Sequence, residues 1–273
     1  PLLTFKRGAV VHFAMSDSDI RMATKLAGPD TYFLPFNMGR EGHAGNPMRT
    51  DGEYPVAYFW EQVCAPDNWL RIFHSFVYTE KKDVVDLSGN HQRKETQIFP
   101  RFHQWDAVTK MIADAKTNGP GQTYLCEHSA GSGKTSTIAW TAHDLIRLRT
   151  ADKGEPYFHS VIVVTDRTVL DKQLQDAVQQ IDHQHDLIAA IGDKDSGESK
   201  SKELARALER GTPIIVVTIQ TFPYAMEQIL TNGKLAGRNF AVIIDEAHTS
   251  QTGSAASNLQ ATLALRDGKT MDG

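Results

Sequence analysis

TYLCEHSAGSGKTSTIAWTAHDLIRL, residues 123–148, is the stretch that decides the fold. TYLCEH (123–128) reads as a short strand, SAGSGKT (129–135) as a glycine-rich loop, and the apolar positions from 134 onward repeat at helical spacing. Strand, glycine loop and helix in that order make a phosphate cradle. Gly131 and Gly133 let the backbone curl, so that successive N–H groups of Ser129, Ala130, Gly131, Ser132, Gly133 and Ser136 face inward toward anionic oxygens. Lys134 would add a point charge on the β- and γ-phosphates, and the Thr135 hydroxyl is a ligand suited to Mg²⁺. The generic pattern G-x-x-x-x-G-K-[ST] asks for glycine at 128, where this chain has His128. A chance Gly-Ser loop capping a helix is the plainer reading, and the strand before and helix after argue against it.

Outward from this stretch, short β-branched runs alternate with longer helical ones. SVIVVTD (160–166), PIIVVTI (213–219) and FAVIID (240–245) are expected strands; helices are expected near 103–116, 134–149, 168–181 and 201–210. Continuous apolar strands separated by helices predict an α/β domain whose parallel sheet is covered on both faces. IIDEAH (243–248) ends the last strand and carries Asp245 to the carboxyl edge, where ligands of open α/β sheets bind. There Asp245 would hold Mg²⁺, mainly through water, Glu246 would polarise an attacking water, and His248 would couple the site to what lies across the cleft. An Asp-Glu pair after a strand is commonly just a helix start; following a phosphate loop, it becomes a hydrolytic pair.

FPRFHQWDAV (99–108) precedes the loop. The Gln104 amide can donate and accept at once, so it could pair with an adenine edge, with Phe102 or Arg101 stacking nearby. The competing reading is an exposed glutamine at a helix start. VVTDRTVLDKQLQ (163–175) and VVTIQTF (216–222) end strands with Thr, Arg and Gln groups that either contact a phosphate backbone or serve as ordinary caps.

Residues 2–36 look β-rich, with VVHFAMS (10–16) and IRMATKL (20–26) as a strand pair, followed by TYFLPF (31–36), a Gly-rich loop and the amphipathic YPVAYFWEQVC (54–64). A smaller α+β segment, 1–79, is therefore expected ahead of the α/β domain, 98–273, with the polar stretch 80–97 as linker. Asp67 stands where a helix N-cap would stand. Pro66-Asp67 and Glu80-x-Lys82 spell a metal-nuclease signature, but a cap and a solvated charge run explain the same residues.

The chain has 273 residues, 40% hydrophobic and 23% charged, which supports a real core and excludes global disorder. Its net charge of −4 neither requires nor forbids nucleic acid. Cys64 and Cys126 form no C-x-x-C and are expected as buried, reduced thiols of a cytoplasmic protein. The eleven histidines show no zinc-ligand spacing, and no apolar run reaches membrane-spanning length. The start PLLTFKRG and the end LRDGKTMDG lead us to expect a piece of a longer protein.

Taken together, FPRFHQWDAV, EHSAGSGKT, VIVVTDRTVLDKQLQ, VTIQTF and VIIDEAHTSQTG closely resemble the motor (R) subunit of type I restriction enzymes, within the superfamily 2 helicases and translocases. TFKRGAVVHFAM, LAGPDTYFLPFN and GNP extend the likeness upstream, and HSAGSGKT is normal for that family, so His128 stops being a departure. The resemblance implies a RecA-like P-loop lobe that binds ATP and Mg²⁺. It also implies a PD-(D/E)xK nuclease whose catalytic residues precede Pro1, and a second lobe with its arginine finger after Gly273. It further implies double-stranded DNA as substrate, methyltransferase and specificity subunits as partners, and cleavage of unmethylated DNA. Two other readings stand beside it: a superfamily 2 helicase without nuclease, and a non-motor ATP-binding switch or scaffold.

Overall fold

The computed structural model describes residues 3–85, 89–129, 131–165, 168–181, 188–191 and 200–245. The chain divides into two compact units, Pro1–Met111 and Ile112–Gly273.

The first unit opens on three short antiparallel strands, β1 (His12–Met15), β2 (Ile20–Ala23) and β3 (Leu34–Pro35), in that order. The turn between β1 and β2 is fastened by Ser16, whose Oγ accepts from the N–H groups of Ser18 and Asp19 at 3.2 and 3.0 Å. The core is aromatic: Phe13 meets Phe36, Phe59 and Phe99 edge-on, with centroids 5.3, 4.7 and 5.9 Å apart. Tyr58 is buried and its hydroxyl donates to Phe36 O at 2.6 Å; burial pushes the phenol far above its ordinary value. The GNP stretch is a structural knot, since the buried Asn46 donates to Ser18 O and Asn37 Oδ1 and accepts from Met38 N–H.

Helix α1 (Pro66–Arg71) corrects one expectation. Its N-cap is Ala65, Pro66 occupies the first turn, and no side chain caps it. Proline's fixed φ starts the helix, so Asp67 stands inside the first turn, where its charge favours the helix dipole without capping. The stretch expected as linker is regular instead: β4 (Tyr78–Val85) and β5 (His91–Ile98) pair antiparallel over eight residues. The polar pattern hid this ribbon, because most of it is solvated on both faces and shows no apolar alternation. Glu80 and Lys82 are two residues apart on β4 and ion-pair with each other at 2.8 Å. Helix α2 (Phe102–Asn118) follows, and the boundary between units falls within it.

The second unit is a parallel sheet. Its strands are β6 (Ser160–Thr165), β7 (Ile188–Ala190), β8 (Ile214–Thr218) and β9 (Phe240–Ile244), in the order β7-β8-β6-β9. Helices α3 (Lys134–Arg147) and α4 (Thr168–Ile181) lie within the expected spans, as do the three strands, and α5 (Lys200–Arg210) begins one residue before its expected start. Strand β7 and helix α6 (Phe222–Thr231) are additional.

Side chains alternate across the sheet. Ile162, Val164, Ile215, Val217 and Phe240 form one cluster with Leu204, Ala207 and Leu208 of α5 and Phe222, Ala225 and Met226 of α6. The opposite phase, Val161, Val163, Ile214 and Val216, is equally buried and faces α3 and α4. Those two helices are joined where the His143 Nε2–H donates to Val178 O at 2.8 Å. The α/β architecture with a doubly covered parallel sheet is therefore as the apolar strands predicted.

TYLCEH is the exception. Residues 122–129 pair with no strand among the described residues, and Leu125 is 80% exposed. Gly119 and Gly121 turn the chain at positive φ after α2, and Tyr124 Oη then donates to Asp114 Oδ2 at 2.6 Å. That bond ties the segment back to the end of α2. Cys126 is consequently exposed and Cys64 only half-buried, so the thiols are not core residues; both are free, and partial desolvation raises both.

Candidate nucleotide site

The glycine loop takes the shape its composition requires. Gly131 has φ +74° and Gly133 has φ +84°, a left-handed region that L-residues avoid. Between them Ser132 is buried, and its N–H donates to Ser129 O at 3.2 Å, closing the turn. Gly133 is the N-cap of α3 and brings no side chain to cap it. A helix start carries positive dipole charge, here followed at once by Lys134 and Thr135, both half-buried. Thr137 is turned inward, its N–H and Oγ1 directed at Gly133 O at 3.3 and 3.5 Å. Ser136 is half-buried beside it, and Ala130 lies outside the described residues.

Topology decides where this helix start stands. At the far end of α3, Tyr157 N–H donates to Leu148 O at 3.1 Å, three residues before β6 begins. The C-terminus of α3 is thus held at the amino edge of β6. Helix α3 packs against β6, β8 and β9, and its fourteen residues span roughly 21 Å. Six residues of β6 span about 20 Å, so the glycine loop comes to the carboxyl edge of the sheet.

Asp245 stands on that edge. Its N–H donates to Val164 O at 2.9 Å, which extends the β6–β9 ladder one residue past Ile244. In that register Asp245 falls in the phase of Ala241 and Ile243, the α3 side of the sheet, in one row with Thr165 and Thr218. Sequence treated those threonines as possible backbone contacts or caps. The structure buries them: Thr165 is 1% exposed, and Thr218 Oγ1 lies 3.0 Å from Thr221 Oγ1, holding the turn into α6. Among the described Thr and Gln residues of 163–175 and 216–222, Gln220 alone is exposed.

Gln104 lies in the other compact unit. It is buried, not a surface residue, and its Oε1 accepts from Arg101 N–H at 2.9 Å, the return half of a capping box at the start of α2. Phe102 is 3% exposed and packed on Phe36, Tyr58 and Trp105, so its ring is part of the core and not a stacking platform. Glu246 and His248 lie outside the described residues.

The residues present suit a nucleoside triphosphate. Two left-handed glycines, a helix start whose N-cap residue has no side chain, a lysine and a threonine suit phosphates by their donors and positive charge. Asp245 and Thr135 are oxygen ligands of the hard type Mg²⁺ takes. Among the described residues no group of three or more His, Cys, Asp or Glu makes a metal cluster, and no helix is long and apolar enough to cross a membrane.

No curated protein sequence matches the chain. Among solved structures, the UvsW helicase from bacteriophage T4 is similar at 16% identity and a TM-score of 0.35, over 62% of this chain and 58% of that one. This chain therefore spans less than two thirds of that helicase. The SWI2/SNF2 ATPase family matches residues 103–266, more than half of the chain, from the start of α2 through the glycine loop and past Asp245. By that match the chain belongs to the SWI2/SNF2 ATPase family.

Proposed function

We propose that this chain is the ATP-binding lobe of a type I restriction R subunit, which hydrolyses ATP to translocate double-stranded DNA and cleaves it when unmethylated. The observation that carries the ATP half is the convergence of the glycine loop and Asp245 at one sheet edge. The restriction half rests on the likeness of FPRFHQWDAV, HSAGSGKT and VIIDEAHTSQTG to that family. On this reading residues 1–79 are the trailing part of a nuclease-associated domain, 80–97 join it to the motor, and 98–273 are the first RecA-like lobe.

The residues divide the work. Backbone N–H groups of 129–136 and the Lys134 ammonium hold and orient the phosphates, and Thr135 and Asp245 hold Mg²⁺. Glu246 accepts a hydrogen bond from the attacking water and aligns it in line with the leaving oxygen. Bound MgATP supplies the free energy of phosphoryl transfer. An arginine finger from a second lobe, worth about 10³–10⁵ in rate, would complete the site.

The test uses the full-length protein with its methyltransferase and specificity subunits. Glu246→Gln should keep MgATP bound while lowering turnover by about 10²–10⁴. The wild-type complex should cut unmethylated circular DNA and spare its methylated counterpart. Duplex-stimulated hydrolysis without any cleavage would favour a helicase lacking nuclease. ATP binding with neither would favour a switch or scaffold, and equal turnover in Glu246→Gln and wild type would remove Glu246 from the site.

A further inference from the structure

The β4–β5 ribbon has a charge arrangement that its own fold does not explain. Each strand contributes eight residues, giving a ribbon about 26 Å long, and residues 81–85 and 91–94 are exposed. Two-stranded hairpins without a hydrophobic face are marginal in water. On one face each charged residue stands opposite its counter-charge: Lys81 is opposite Glu95, which also pairs with Lys6, and Asp83 is opposite Arg93. Lys6 and Lys81 beside it hold the Glu95 carboxyl below its ordinary range, with Lys6 the larger cause.

On the other face a cation is opposed by a cation. Lys82 is directly opposite Lys94, flanked by Glu80 opposite Thr96 and by Val84 opposite Gln92. Opposed residues on one face have Cβ atoms only ~4.5–5.5 Å apart, and like charges there are destabilising. Glu80 pairs with Lys82, which leaves the face with an excess positive charge at Lys94. Two ammonium groups placed together in this way favour an anion between or along them.

We propose that this face of the β4–β5 ribbon, through Lys82 and Lys94 with Gln92 and Thr96, grips the phosphodiester backbone of nucleic acid. The proposal rests on the DNA-motor reading above and assigns it a contact outside the ATPase domain. Nucleic acid suits the face better than an acidic protein does. It carries no arginine, its Tyr78 is buried and its Ile98 half-buried at the base, and Val84 near the tip is its one exposed large apolar residue, whereas protein hot spots depend on large accessible anchors. A two-stranded ribbon also has the width that a duplex major groove admits.

The experiment is a fluorescence-anisotropy titration of full-length protein against labelled duplex, single-stranded DNA and poly-L-glutamate over a salt series. The variants are Lys82→Gln/Lys94→Gln and the conservative Lys82→Arg/Lys94→Arg. Loss of two phosphate contacts should lower the slope of log K on log salt by about 1.8 for duplex, and weaken binding at 0.1 M salt by up to ~60-fold. The arginine pair should retain both. Relief of the Lys–Lys repulsion should leave the Gln pair with a melting temperature equal to or above wild type, where a structural role would lower it. A larger loss on single strands than on duplex would assign the face to single-stranded DNA. Unchanged DNA affinity in the Gln pair, with wild type binding DNA, would overturn the ribbon contact alone. Poly-L-glutamate bound as tightly as DNA and lost equally would replace nucleic acid by an acidic protein surface. Absence of any DNA binding by wild type would overturn the motor reading itself.

Discussion

Gly131 offers the most direct test that the glycine loop is a binding shape and not a connection. Its φ is +74°, yet a Cβ built there would meet no atom within 4 Å. Substitution is therefore sterically open and conformationally penalised, so any loss reports backbone geometry alone. A left-handed conformation costs an L-residue about 1–2 kcal/mol, which is a factor of roughly 5–30 in the population of the binding shape. Gly131→Ala should weaken a fluorescent ATP analogue by that factor in the presence of Mg²⁺. Gly131→Asn should recover part of it, because asparagine tolerates this region, and Gly131→Val should be worst. The melting temperature should scarcely move, since Gly131 is exposed and buries nothing. Lys134→Ala sets the scale: one charge-assisted bond is worth about 1.5–3 kcal/mol, or ~10–150-fold in affinity. Equal analogue affinities for Gly, Asn, Ala and Val at 131 would show that the left-handed turn does not shape the nucleotide site.

The parallel sheet was legible because its strands are buried on both faces. SVIVVT and IIVVT have no polar phase, and only a doubly covered sheet accommodates that. TYLCEH failed for the matching reason. Its apolar content is three consecutive residues, Leu125 among them is exposed, and the Tyr124 hydroxyl bonds to Asp114 on α2 instead of a described strand pairing with the segment. The β4–β5 ribbon was illegible because solvated strands alternate nothing; the signal lay in equal offsets of charge about the turn, Lys82 facing Lys94 and Asp83 facing Arg93. At the site, chemistry was readable where residue type is tied to function, as in Gly131, Gly133 and Asp245. It was unreadable where register decides: only the pairing of β6 with β8 and β9 shows Thr165, Thr218 and Asp245 in one row. Gln104 and Phe102 mark the limit, because sequence cannot say whether a polar or aromatic group at a helix start turns outward or, as here, into the core.

Two more outcomes follow from these contacts. Gln104→Ala removes the capping bond to Arg101 N–H and should lower stability by about 1 kcal/mol, read as a fall in melting temperature; a base-reading role adds a loss of ATP preference over GTP in competition binding. An unchanged melting temperature would show that the capping bond contributes nothing. Glu209 gives a pH signature. Its carboxylate accepts from Lys234 Nζ at 2.8 Å and from Asn232 Nδ2 at 2.9 Å, and these bonds, Lys234's first, hold it below its ordinary 4.5. A carboxylate with a lowered folded-state value contributes stability that is complete above 4.5 and is lost as pH falls through the lower value. Lys234 is largely exposed, so the effect is small and weakens with salt. Lys234→Gln should therefore melt slightly below wild type at neutral pH, and the two curves should converge on acidification below ~4. A gap that stayed constant to pH ~3, or opened only in acid, would mean that Lys234 acts through packing along its stem and not through the charge on Glu209.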